Sequence, residues 1–281
     1  MHVVDHPDGA ALLARARELL ETNEAENNLQ LGICAGLAAS PPPAERRPYL
    51  ATVEEGGIVA AVAVWTPPLN LVLSRAPVEA LGALVSELRA RDVSLPGVLA
   101  PDETAESFAE LWSQQGGGPW RVTMRERIYQ LTSVSPPAHP VSGRVREAAL
   151  SDRDVLVRWV RGFSTESGLD PMSEVAALRE VQRRIEQRTL FVWEDGELAS
   201  MAATAGPTAR GVRINLVYTP PELRRRGYAS ACVAVLSQLL LDSGRTVCFL
   251  YADRANPTSN GIYQQIGYQK VTDVTVITFG A

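Results

Sequence analysis

Seventeen residues, Ile214 to Ser230 (INLVYTPPELRRRGYAS), narrow what this chain can fold into more than any other stretch. Ile214 to Tyr218 are strand formers. Thr219-Pro220-Pro221 ends that strand, because proline lacks a backbone donor and holds the preceding residue extended. Arg224-Arg225-Arg226-Gly227-Tyr228-Ala229 follows, and then an apolar, helix-forming run from Ala231 to Leu241. A strand thus leads through a tight, arginine-rich turn into a helix. The first turn of a helix presents unpaired N–H groups and the positive end of the dipole, so this junction suits an anion, and phosphate above all. Gly227 lets a ligand approach the backbone, while Ala229 and Ser230 keep the helix start open. The competing reading is an arginine-rich helix start on a solvated surface.

The rest of the chain can be ordered around that junction. Leu12, Leu13, Ala16, Leu19 and Leu20 predict an amphipathic helix over Ala10 to Leu20, with Asp8 as N-cap, and Leu29 to Leu37 a second. Tyr49–Val53 and Ile58–Trp65 predict a hairpin around Glu54-Glu55-Gly56-Gly57. Leu69–Leu73 and Gly97–Ala100 predict strands, Pro77–Arg91 and Thr104–Gln115 helices, and Arg121–Leu131 an extended segment. Residues 133–143 (SVSPPAHPVSG) read as a linker. Beyond it come a strand at Val145–Ala148, a helix to about Phe163 capped by Ser151 with Asp154, and a helix over Met172–Gln187. A hairpin around Glu194-Asp195-Gly196, the strand–turn–helix junction, a strand at Val247–Ala252, a helix at Ser259–Ile266 and final strands over Tyr268–Phe279 complete the order. The two halves share this order, and Trp112-Ser-Gln-Gln-Gly116 echoes Tyr263-Gln-Gln-Ile-Gly267. The expected fold class is therefore α/β, an α+β mixed sheet in two tandem copies: 1–132, the linker 133–143, and 144–281. A length of 281 residues accommodates two such units.

Arg224-x-x-Gly227-x-Ala229 resembles the R/Q-x-x-G-x-G/A signature of the GNAT superfamily of N-acetyltransferases. Asn256-Pro-Thr-Ser259-Asn260-Gly-Ile-Tyr263-Gln-Gln-Ile-Gly267-Tyr268 is similar to a second segment of that family. The resemblance implies two GNAT-like acyltransferase folds, the second binding acetyl-CoA. It implies that amides of Arg225 to Ser230, with Arg224, Arg225, Arg226, Gly227, Tyr228 and Ala229, cradle the pyrophosphate. It also implies that a bulge at Leu216, Val217 and Tyr218 splays the strand to admit the pantetheine arm, with the Val217 amide on the thioester oxygen. Asn256 and Ser259 would belong to the cofactor site, and Tyr263 would protonate the leaving thiolate as general acid. The first copy has Ser74-Arg75-Ala76-Pro77 where the loop should be, and Trp112 where Tyr263 should be, so it reads as catalytically silent.

Composition trims the remaining options. The net charge of −5 argues against general nucleic-acid binding. Residues 144–281 carry about +2 and the remainder about −7, which favours an anionic cofactor in the second copy. Lys270 is the single lysine. Cys34, Cys232 and Cys248 have no zinc or disulfide spacing and read as small buried hydrophobes; no metal is expected. A reducing cytoplasm fits them, no run reaches membrane-spanning length, and the N-terminus lacks a signal-peptide pattern. The expected partner is a small-molecule or peptide amine acceptor, and the oligomeric state stays open. So does the general base: Glu166, Glu222 or a chain of water. A non-catalytic acyl-CoA sensor and a transferase of larger acyl groups are the rival functions.

Overall fold

The computed structural model describes residues 1–43, 47–135, 140–168 and 171–280. In the first half these form β1 (His2–Asp5), α1 (Gly9–Thr22), α2 (Asn28–Ala39), β2 (Tyr49–Glu55), β3 (Ile58–Trp65), β4 (Leu71–Leu73), α3 (Val78–Ala90), β5 (Gly97–Pro101), α4 (Asp102–Gln114) and β6 (Trp120–Leu131). The second half repeats the order as β7 (Arg144–Glu147), α5 (Arg153–Glu166), α6 (Glu174–Glu186), β8 (Leu190–Asp195), β9 (Glu197–Ala205), β10 (Gly211–Tyr218), α7 (Tyr228–Asp242), β11 (Val247–Asp253), α8 (Pro257–Ile266) and β12 (Gln269–Phe279).

Local chemistry accounts for most boundaries. The Asp8 side chain accepts the Ala11 amide (2.8 Å) and starts α1 as its spacing predicts. Gly267, at φ 110°, closes α8. Ser151 does not cap α5. It sits in a short 3₁₀ turn, Leu150–Asp152, whose Asp152 accepts the Ala149 amide (2.8 Å) and pairs with Arg146 (2.7 Å). The ion pair makes Asp152 the better anchor, and α5 begins one residue later. Edge strand β1 escapes sequence reading because four residues, paired to β2 alone, carry too little periodicity. Part of the expected linker, residues 136–139 with His139, lies outside the described residues.

The twelve strands among the described residues join one mixed sheet in the order β1-β2-β3-β4-β5-β12-β6-β11-β10-β9-β8-β7. Its centre is an exchange. The last strand of the second half, β12, inserts between β5 and β6 of the first, while β6 lies between β12 and β11. Each half's strand set is therefore interrupted by the other's final strand.

Alternation along β6 sorts the helices into two layers. Arg125 meets Glu106 of α4 (3.0 Å), and Tyr129, on the same face, donates to Asn260 of α8 (2.8 Å). Helices α3, α4, α7 and α8 hence cover one side, burying Phe108 and Trp112 in the first half and Cys248 and Leu250 in the second. Helices α1 and α2 pack on Leu50, Val62 and Val64, and α5 and α6 on Leu190, Val192 and Met201. The intervening residues of β6, Glu126 and Ile128, face the side opposite α4 and α8.

The exchanged strands are joined by charge as well as by backbone. Arg127 of β6 clamps Asp273 of β12 through two bonds (2.7 and 3.2 Å), and Lys270 adds a third contact (2.7 Å). The Arg127 bond, opposed by burial and helped by Lys270, holds the Asp273 carboxyl down at about 2 against an ordinary 3.8. Because the folded value lies below the unfolded one, the contribution is complete above that ordinary value and disappears as pH falls through the folded value. Replacing Asp273→Asn should therefore lower the unfolding free energy at pH 7 by about 2 kcal/mol, with the wild-type advantage gone near pH 2; urea titrations across that range check it.

Candidate active site

Strand β10 pairs with β11 through only three residues, Gly211, Val212 and Arg213. Beyond Arg213 the two parallel strands part. On its other edge β10 follows β9 up to Asn215↔Ala203 and resumes at Tyr218↔Met201, so one extra residue is accommodated between them. Leu216, at φ 54°, takes up that residue. A bulge with a left-handed non-glycine residue carries strain, and such strain gathers at functional sites. The splay expected from the sequence is thus present at Leu216 and Val217.

Six consecutive amides lie just past that strand end. No described residue accepts a hydrogen bond from the backbone N–H groups of Arg225 to Ser230. Gly227, at φ 84°, turns the chain into α7, and a Cβ built there would lie 2.8 Å from Val141 Cγ2. Arg225 also takes a left-handed conformation, φ 62°, and its side chain is exposed. The arginines are not equivalent. Arg224 folds back from the loop: its Nε donates to the Thr219 carbonyl (2.8 Å), its Nη2 pairs with Glu166 (2.5 Å), and its guanidinium lies over the Tyr218 ring (5.6 Å). It braces the strand end against α5. Arg226 donates to the Glu222 carbonyl (3.3 Å), and Tyr228 donates to Asp195 (2.8 Å). Arg225 is left as the loop cation without a side-chain partner among the described residues.

The other predicted residues sort similarly. Asn256 spends its carboxamide oxygen capping α8 through the Ser259 amide (3.1 Å), and the Ser259 hydroxyl donates to the Asn256 carbonyl (3.2 Å). The buried polar anchor of the segment is Asn260, which donates to the carbonyls of Asp253 (2.8 Å) and Asn256 (2.7 Å) and accepts from Tyr129. Glu166 ends α5 and is occupied by Arg224 and by the Tyr218 hydroxyl (3.0 Å), so it is not a free base; Glu222 is exposed beside the loop.

A cavity of about 260 Å³ opens where β10 and β11 part. Tyr263 of α8 reaches it from one face of the sheet, and its hydroxyl bonds no described residue. Burial pushes this phenol up to about 12, so it keeps its proton through the neutral range. The opposite face supplies Arg213, Asn215, Tyr251 and Glu126, and helices α2 and α5 add Leu29 and Phe163. Glu126, Leu29 and Leu99 belong to the first half, so the cavity is built from both. The Glu126 carboxylate bonds no described side chain. Burial, reinforced by Asp253 opposite it and moderated by Arg213, raises it to about 7. Sequence reading missed it because an acid between two arginines on a strand looks solvated. Only the exchange makes that strand central.

The first half lacks this arrangement. Strand β4 passes through Ser74-Arg75-Ala76 directly to α3 with no glycine turn, and Arg75 pairs with Glu26 (2.9 Å). Trp112 stacks on Phe108 and lies under Arg89 (5.2 Å), filling the place that Tyr263 takes in the second half. All three cysteines are buried, and burial lifts each thiol to about 12, so none is a thiolate nucleophile. Among the described residues no group of three His, Cys, Asp or Glu could hold a metal ion, and no helix is long and apolar enough to cross a membrane.

Residues 194–277 match the family model of FR47-like proteins. The whole chain superimposes on a GCN5-related N-acetyltransferase from Sphaerobacter thermophilus with a TM-score of 0.65 at 17% identity, covering 98% of this chain and 94% of that one. A tandem GNAT protein from the clavulanic acid biosynthesis pathway matches with a TM-score of 0.57 at 14% identity, over 98% and 97% of the two chains. The chain is a tandem of GNAT folds. A Drosophila protein matches with a TM-score of 0.68 at 15% identity, over 99% and 98%. No curated protein sequence matches. Within the GNAT tandem, the free amides, the bulge and Tyr263 all fall in the second copy.

Gly227 gives the direct test of the loop. A left-handed turn costs a residue with a Cβ about 1–2 kcal/mol, and Val141 would have to move as well. Gly227→Ala should lower stability by about that amount and, if the amides hold an anion, weaken coenzyme A binding by tenfold or more; urea unfolding and calorimetric titration read the two effects.

Proposed function

We propose that the second GNAT fold transfers an acetyl group from acetyl-CoA to an amine by direct attack. The observation that carries this reading is a set of features in the second half: six amides at the start of α7 without a partner among the described residues, the β10 bulge, and a cavity entered by a tyrosine hydroxyl that bonds no described residue. The loop amides and Arg225 are suited to the pyrophosphate, and the parted edge of β10 to the pantetheine amides. An amide at the Leu216–Val217 bulge would take the charge that builds on the thioester oxygen. Tyr263 would hand its proton to the departing thiolate. Arg224 acts in this scheme by fixing the strand end and not by holding phosphate. The first copy contributes a wall of the acceptor cavity and binds no nucleotide of its own.

The rival sensor function predicts binding without turnover. A coupled coenzyme A release assay over a panel of amine classes separates the two, since a sensor would release none. Tyr263→Phe should reduce kcat by about 10²-fold or more while leaving the acetyl-CoA Kd within about twofold. Unchanged turnover in that variant would remove the phenol from the reaction. Comparing acetyl-CoA with succinyl-CoA in the same assay tests the acyl preference.

A further inference from the structure

Two acceptor groups on the α2/α5 side of the cavity have no donor among the described residues. Among the described residues the Glu126 carboxylate makes no hydrogen bond or ion pair, and the buried Asn215 Oδ1 has no partner. Both line the same space, on the same face of the sheet, from β6 and β10 on either side of β11. A buried polar atom without a partner costs stability unless a ligand supplies one. Two acceptors facing one cavity call for a group rich in N–H donors.

We propose that this pocket holds the acceptor's primary amine, and that Glu126, contributed by the first half, is the base that removes its proton. Asn215 Oδ1 accepts a second N–H and aims the nitrogen lone pair. The proposal rests on the acetyl-transfer reading given above. In the step, the amine nitrogen bonds to the thioester carbonyl carbon and its proton passes to the Glu126 carboxylate. The tetrahedral oxyanion then collapses, the C–S bond breaks, and the sulfur takes the Tyr263 proton. Base and acid reach the cavity from opposite faces of the sheet, so the proton taken from nitrogen and the proton given to sulfur pass through separate groups.

The surroundings of Glu126 support the assignment. Asp253 stands directly opposite on β11, and Val274 opposite on β12. Arg213 on β10 is the cation that acts on Glu126 across the cavity, but it donates to Asn28 (2.9 Å), stacks on Tyr251 (5.7 Å) and does not bond Glu126. Leu29 and Phe163 supply apolar cover from the helices. A like charge across the strand and an apolar cover raise a carboxyl toward neutrality, where a base works best. Rate should therefore rise with pH through about 7 and then level.

The test is the pH profile of kcat/KM for wild type, Glu126→Gln and Asn215→Ala with the best amine found, alongside calorimetric titration of acetyl-CoA. Glu126→Gln is expected to lose 10²-fold or more in kcat/KM and the rise near neutral pH, with acetyl-CoA affinity unchanged. Asn215→Ala is expected to raise the amine KM and keep the rise. Wild-type turnover with an unaltered profile in Glu126→Gln would overturn this proposal and leave the transferase standing. Absence of wild-type turnover with every amine would overturn both.

Discussion

The antiparallel pairing of β6 with β12 is the contact on which the remainder of the molecule depends. It places the two longest strands at the middle of the sheet and makes each half the missing neighbour of the other. Backbone pairing is insensitive to side-chain identity, so the exchange tolerates divergence on the faces. Arg127 and Asp273 fix its register with a paired charge that a slip by one residue would put on opposite faces. Further polar contacts stitch the halves beyond the sheet. Glu24 of the first half, almost fully buried, accepts from Thr208 and from the amide and guanidinium of Arg210, and these bonds outweigh the cost of its burial.

The same exchange explains how the cleft acquires two chemistries. One face of the sheet near the bulge is shaped by α7 and α8 and presents a phenol. The other is shaped by α2 and α5 and presents carboxylate, carboxamide and guanidinium groups. A gap between parallel strands joins the faces without crossing the core, because β10 and β11 separate after three paired residues. Helix starts and strand ends thus meet in one place, and the glycine at φ 84° is what lets the chain turn there.

Much of this was legible in the chain. The junction from Ile214 to Ser230 announced a strand, a turn and a helix, and its two prolines and one glycine stand where the backbone needs them. Element order gave the tandem, since turn residues and apolar periodicity act locally. Three things were not legible. The start of α5 went to Asp152, which makes no capping bond to the helix and is held instead by the Ala149 amide and by Arg146 of β7. The inward turn of Arg224 depended on a glutamate fifty-eight positions earlier in sequence. Glu126 gained its setting only from strands whose neighbours lie in the other half, and no local pattern encodes a long-range pairing.

The asymmetry of the two copies has one further implication. The first copy has no glycine turn after β4 and carries Trp112 where the second has Tyr263, yet it furnishes β6, Leu29 and Glu126 to the cleft of the second. Decay of a duplicated half is free to erase whatever served only that half, and stops at whatever its twin leans on. The residues of the first copy that line the second copy's cavity are the ones such decay would leave in place.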